Sequence, residues 1–183
     1  MRFIPTPLAG AYVIESDAQE DERGSFYRTF CKEEFETHGL KGDFVQASLS
    51  RNHACGTLRG MHYQKQPRPE CKLVRCLRGR AYDVIIDLRP GSPTLCGWFG
   101  TELSEENHKA MYVPAGFAHG FLCLVDGIDI LYQMTELYVP ELAAGVRWND
   151  PAFGIAWPFE PLTMSERDRC YADCRADGDA DSC

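Results

Sequence analysis

The stretch Thr57-Leu58-Arg59-Gly60-Met61-His62-Tyr63-Gln64, with Lys72 close behind it, gathers an arginine, a histidine and a lysine into one short region of an acidic chain. A histidine with an ordinary pKa of about 6.5 accepts a proton at neutral pH. A lysine that stays cationic stabilises an oxyanion or enolate as its charge develops. A tyrosine, with a pKa of about 10, can return a proton from another direction. These three types together suit removal of a proton next to a carbonyl. The competing reading is a row of polar side chains on the wet face of a half-buried sheet, which needs no function at all.

The elements that would position these residues read as strands. Tyr12-Val13-Ile14 is a short extended segment, Asp21-Glu22-Arg23-Gly24 is a turn, and Ser25 to Phe30 alternates as a strand does. Lys32 to His38 is a helix candidate ended by Gly39. From Asp43 onward the period is two, with Phe44, Gln46, Ser48 and Ser50 on one face and a further strand at Leu73 to Leu77. Ala81 to Leu88 puts Asp83 and Asp87 on one face and Tyr82, Val84, Ile86 and Leu88 on the other. Strands are also expected at 97–103, 110–113, 118–124 and 128–138, separated by turn residues. Many short strands with little helix predict an all-β sandwich or barrel. If the strands carrying His62, Lys72 and Asp83 are neighbours and share a face, they line one cavity in its mouth.

Composition narrows the field. The 183 residues predict a single domain, 1–183, with a loose acidic tail from about residue 173. With 44% hydrophobic and 25% charged residues the chain is globular, and its formal charge of −8 argues against nucleic acid or a membrane surface as partner. An anionic ligand would have to be held by a few placed arginines. No apolar run reaches the roughly 18 residues of a membrane span, and Met1 to Pro5 lacks a signal-peptide core, so a cytoplasmic protein is expected. The nine cysteines form no C-x-x-C pair and are expected to be reduced.

Pro114-Ala115-Gly116-Phe117-Ala118-His119 resembles the second motif of the cupin jelly rolls. Metal-binding cupins pair it with H-x-H, where this chain has His62-Tyr63-Gln64, so a metal-free cupin is expected and a metal-dependent dioxygenase is disfavoured. A closer resemblance, over residues 3 to 168, is to the dTDP-4-dehydrorhamnose 3,5-epimerase family. It is carried by Asp21 to Phe26, Phe44-Val45-Gln46, Leu58 to Gln64, Lys72 to Arg75, Asp83 to Arg89, Pro114 to Phe121, Trp148-Asn149-Asp150-Pro151 and Trp157-Pro158.

That resemblance implies a cupin-type jelly roll with one or two short peripheral helices and an isomerase of deoxysugar biosynthesis. It would act without cofactor or metal on a nucleotide-diphosphate 4-keto-6-deoxyhexose, inverting carbon 3, carbon 5 or both through an enolate. The alternative is a non-catalytic or isomerase-type cupin that binds sugar nucleotides. By resemblance, His62 is the base, Asp168 orients it, Lys72 stabilises the enolate and Tyr132 is the acid. Arg23 and Arg59 would hold the diphosphate, Phe26 and Gln46 would meet the nucleotide, His119 and Tyr138 would line the substrate pocket, and Asp83 would pair with Lys72. It also implies a homodimer with N-terminal strand exchange, placing Arg23 and Phe26 on a ligand bound by the other chain.

Three departures from the family pattern concern the nucleotide side. Arg28 stands where the pattern has glutamate, Ser48 where it has asparagine, and Pro69-Glu70-Cys71 replaces a glycine-containing stretch. The change at Arg28 raises cytosine or guanine as alternatives to thymine.

Overall fold

The computed structural model describes residues 1–174. In chain order the elements are β1 (Arg2–Pro5), β2 (Tyr12–Glu15), β3 (Gln19–Asp21), β4 (Gly24–Phe26), α1 (Lys32–Thr37), β5 (Gln46–Asn52), β6 (Leu58–Gln64) and β7 (Lys72–Arg78). They continue as β8 (Arg80–Asp87), β9 (Trp98–Ser104), β10 (Lys109–Val113), β11 (Phe117–Cys123), β12 (Ile128–Met134), β13 (Ala143–Gly145) and α2 (Glu166–Arg169). A six-stranded sheet runs β1-β2-β10-β7-β12-β5, a five-stranded sheet runs β13-β6-β11-β8-β9, and β3-β4 forms a separate hairpin. The pairings are antiparallel, and the two large sheets make a cupin-type jelly roll.

Alternation explains what lies between the sheets. Val74 and Cys76 of β7, Ile128 and Ile130 of β12, and Ala81, Ile85, Phe117 and Phe121 of the facing sheet form the main apolar cluster. Lys72 and Tyr132 have the same strand parity as those apolar residues, so one face is apolar at one end and polar at the other. The outer faces are covered too. Met61, Val84, Ile86, Ala118, Val146 and Phe153 bury one, while Ile14, Leu73, Ala110 and Tyr112 pack with Phe35 of α1 on the other. Asp83 and Asp87 are fully buried on the inward face of β8, opposite Val84 and Ile86.

Several expected boundaries differ. Only Gly24–Phe26 of the segment 25–30 is strand, because Phe30 turns into an edge-on cluster with Phe35 and Phe44. The last long strand stops at Met134, not residue 138. Among the described cysteines seven are free, but Cys174 is disulfide-bonded, against the expectation of reduced thiols. The acidic tail expected from about residue 173 lies almost wholly outside the described residues.

Candidate active site

A cavity of about 410 Å³ opens at the polar end of the sandwich. Gln46 and Ser48 of β5, His62 of β6, Lys72 of β7 and Tyr132 of β12 line it, with Tyr138, Glu70 and Arg167 at its margins. Neighbouring strands put these side chains on one face: β12 pairs with both β5 and β7, while β6 belongs to the opposite sheet.

β6 is bent just before His62. Gly60 has φ +142, and a Cβ there would stand 2.6 Å from Gly120 Cα of β11; a Cβ on Gly120 would meet Met61 Sδ at 2.6 Å. Only glycines allow this approach. The register shifts between His119 and Phe121, so that His62 faces His119 directly.

His62 Nε2 is 2.7 Å from Asp168 Oδ1, with the imidazole 41% exposed and the carboxylate 5% exposed. Asp168 Oδ2 accepts the Gly60 N–H at 3.3 Å, and the Asp168 N–H donates to Ser165 Oγ at 3.1 Å, the N-cap of α2. Burial alone would push the Asp168 carboxyl up, but the hydrogen bond and charge of His62, with the Gly60 N–H and the neighbouring Ser165 hydroxyl, hold it below the usual carboxylate range. An ionised partner on Nε2 leaves the Nδ1 lone pair as the proton acceptor.

His119 and Asp83 form a second pair beneath the cavity, Nε2 to Oδ2 at 2.8 Å, both almost fully buried. Asp83 therefore does not pair with Lys72 as expected. Lys72 Nζ lies 3.2 Å from Glu70 Oε1 and donates to the His62 carbonyl at 3.2 Å. Glu70, two residues before Lys72 and just outside β7, reaches the same cavity, while Asp83 sits across the sandwich opposite Phe121 and beside His119.

The Tyr132 ring meets His119 edge-on, centroids 5.7 Å apart. Burial, and then the Asp83 carboxylate, push its phenol well above the usual value, so it is a protonated donor at neutral pH. Gln46 Oε1 accepts the Tyr138 N–H at 3.1 Å, joining the two residues expected to meet ligand.

The remaining expected residues lie elsewhere. Arg59 is exposed and donates through Nε to Asn52 at 2.7 Å, outside the cavity wall. Arg23 and Phe26 stand on the β3–β4 hairpin, 85% and 79% exposed, with Arg23 held by Asp21. Arg28 is compensated by Glu34 at 2.8 Å, so its acid-to-base change is answered locally.

Sequence reasoning missed Arg167 and Tyr171 as site residues, and it had Glu70 only within a stretch on the nucleotide side, not beside Lys72. Tyr171 meets the His62 ring edge-on at 6.1 Å, and the Arg167 guanidinium lies 5.8 Å from the Tyr171 centroid. Ser165-x-x-Asp168 is a capping pattern that signals α2, but nothing local announces where its side chains point. Among the described residues no three His, Cys, Asp or Glu side chains converge to hold a metal.

The architecture is thus a cupin-type jelly roll whose mouth collects groups suited to proton transfer at a carbon acid. The family model for dTDP-4-dehydrorhamnose 3,5-epimerase matches residues 5–175. The dTDP-4-dehydrorhamnose 3,5-epimerase of Methanothermobacter thermautotrophicus is 46% identical over 177 residues, covering 95% of each chain. The crystal structure of the enzyme of that name from Elizabethkingia anophelis superposes with TM-score 0.92 at 39% identity, covering 97% of this chain and 98% of that one. That from Bacillus anthracis, with TDP and PPi bound, gives TM-score 0.91 at 39% identity, covering 94% and 98%. The chain belongs to the dTDP-4-dehydrorhamnose 3,5-epimerase family.

Proposed function

We propose that the protein inverts carbon 3, carbon 5 or both of a nucleotide-diphosphate 4-keto-6-deoxyhexose, with His62 as base and Tyr132 as acid. The observation that carries this reading is the convergence of the His62–Asp168 pair, Lys72 and Tyr132 on one cavity in a member of this family. Carbons 3 and 5 both adjoin the ketone at carbon 4. His62 Nδ1 takes the proton from one of them, and the electron pair of the C–H bond moves to the carbonyl oxygen. The Lys72 ammonium stabilises that enolate. Tyr132 then delivers its phenolic proton to the opposite face, and transfer to solvent and back resets both groups. Asp168 keeps the Nε2–H tautomer and stabilises the imidazolium.

The chemistry needs no redox step, since the proton that leaves is replaced. Thymine is the base this reading favours: the similar proteins carry dTDP or TDP in their names, and Arg28 is already paired with Glu34. Gln46, Ser48 and Tyr138 all line the cavity, and this reading assigns Gln46 to the nucleotide.

A cytoplasmic homodimer completes the reading. Arg23 and Phe26 serve no purpose on their own chain's cavity, and an exposed cationic and aromatic pair on a projecting hairpin suits a diphosphate and a base held by a partner. A soluble nucleotide sugar is a cytoplasmic substrate, and no described helix is long and apolar enough to cross a membrane.

The test is solvent deuterium incorporation into dTDP-, CDP- and GDP-linked 4-keto-6-deoxyhexoses, read by NMR at carbons 3 and 5. Exchange that vanishes in His62→Ala is expected, fastest with dTDP. Tight nucleotide binding with no exchange in any member would make the protein a binding module.

A further inference from the structure

Glu70 stands just before β7 and Lys72 is its first residue, and both side chains reach the same cavity. Cys71 between them is buried on the other side, in the apolar cluster around Phe35. Glu70 Oε1 lies 3.2 Å from Lys72 Nζ, the side chains are 12% and 9% exposed, and both line the cavity that holds His62 and Tyr132. Among the described residues Glu70 is the carboxylate paired with Lys72; Asp83 is committed to His119.

An ammonium has three N–H donors. The His62 carbonyl takes one at 3.2 Å, and Glu70 stands against the ammonium as an ion pair at 3.2 Å, so a free N–H remains for the cavity. A carboxylate here carries a cost, because it opposes both the diphosphate and the enolate. That cost is intelligible only if what it does to the lysine is worth more. Lysine has a flexible four-carbon stem, and a largely buried ammonium with no anion would turn toward water.

We propose that Glu70 is a positioning residue: it fixes the Lys72 ammonium so that a free N–H meets the oxygen that becomes anionic when the sugar is deprotonated. This rests on the reading of Lys72 as the enolate's stabiliser. The lysine is held at both ends of its task, by the main chain of the base on one side and by Glu70 on the other. Stabilisation aimed in advance at the developing charge lowers the barrier, and a displacement of about 1 Å can cost on the order of 100-fold. Glu70 acts on the rate and leaves the nucleotide to other residues, so its effect belongs in kcat.

Glu70→Ala and Glu70→Gln, assayed on the panel member that exchanges fastest, test this. Glu70→Ala is expected to lower kcat about tenfold or more while KM stays within about threefold and the melting temperature is unchanged. Glu70→Gln keeps an acceptor oxygen in the same place and recovers most of the rate. Wild-type kcat in Glu70→Ala would overturn the assignment, as would joint loss of nucleotide binding and melting temperature, which would make Glu70 a residue of the fold. Wild-type exchange and its abolition in His62→Ala are measured alongside. Absence of exchange in the wild type overturns the epimerase reading and this one with it, whereas exchange that survives unchanged in Glu70→Ala overturns only this one.

Discussion

His62 Nε2 and Asp168 Oδ1 stand 2.7 Å apart although 106 residues separate them. α2 is only four residues long, and its N-cap, Ser165, fixes the turn that delivers the aspartate to the back of β6. The pairing decides which imidazole nitrogen is basic, so the carboxylate is part of the proton-transfer apparatus and not a surface charge.

Asp168→Asn should therefore act on kcat. An amide can donate to Nε2 and favour the Nδ1–H tautomer, which removes the lone pair from the cavity side. A fall in kcat of roughly 10²–10⁴-fold with little change in KM is expected, by analogy with other His–Asp pairs. Nitrogen-15 NMR of the imidazole should show the Nε2–H tautomer in the wild type and its loss in the variant.

Tyr132→Phe separates abstraction from reprotonation. His62 remains competent, so deuterium should still enter from its face, while net inversion falls by about 10²-fold or more. The phenol's value is raised by burial and by Asp83, so the neutral, proton-bearing form persists above the ordinary pKa. Activity should then show no loss from phenol ionisation up to about pH 10. A rate profile over pH 6 to 10, corrected for stability, checks this.

Asp87 gives a stability prediction away from the chemistry. Its carboxylate is fully buried and accepts from Arg89 Nε at 2.8 Å, Ser92 Oγ at 2.5 Å and Thr94 Oγ1 at 2.7 Å. Burial alone would push its pKa up, but these donors bring it down to about 2 from the ordinary 3.8. The folded value is the lower one, so the stabilisation is present above about pH 4 and lost as pH falls through about 2. Its size is about 2 kcal/mol, and Asp87→Asn should destabilise by at least that at pH 7. Denaturant melts at pH 7 and pH 3 should find the gap between wild type and variant narrower at the lower pH.

Gly60→Ala and Gly120→Ala probe the bend before His62. Each new methyl would come within 2.6 Å of an atom across the β6–β11 contact, and at Gly60 the φ of +142 adds backbone strain. Each should destabilise by a few kcal/mol, and the Gly60 variant should lose exchange activity in the fraction that still folds. Thermal melts paired with activity per folded molecule separate the two effects.

The sandwich is legible because its strands alternate and its turns are marked: the pattern of Ala81 to Leu88 separates Asp83 and Asp87 from Tyr82, Val84, Ile86 and Leu88, and the structure shows that the aspartates face inward. The segment 25–30 was misread because Phe26 and Phe30 have strand spacing yet obey different partners, a hairpin and the α1 cluster. Within the site, strand alternation could place His62 and Lys72 on a common cavity; Tyr132 came from the family resemblance, and Asp83, expected beside them, is not a lining residue. Partnership could not be read the same way. Lys72 takes Glu70 over Asp83 because the near carboxylate, two residues away, reaches the same cavity, and His119 already holds the far one. Tyr171 and Arg167 follow Ser165 into a segment with no period, so only tertiary structure reveals that they flank His62.

The placement of Arg23 and Phe26 makes the sharpest test of assembly. Both are exposed on the β3–β4 hairpin and absent from the walls of their own chain's cavity. If the hairpin serves the partner's cavity, Arg23→Ala raises KM about tenfold or more with kcat little changed, since the diphosphate is held alike before and during reaction. Sedimentation should find a dimer. Mixing chains then distinguishes exchange from a hairpin that folds back on its own site. In a heterodimer of Arg23→Ala with His62→Ala, exchange puts both defects in one site and leaves the other intact. Random reassortment of equal amounts makes about half the dimers heterodimeric, so at substrate levels below KM the mixture should regain about a quarter of the wild-type rate. Without exchange each site keeps exactly one defect, and the mixture shows only the average of its two parents.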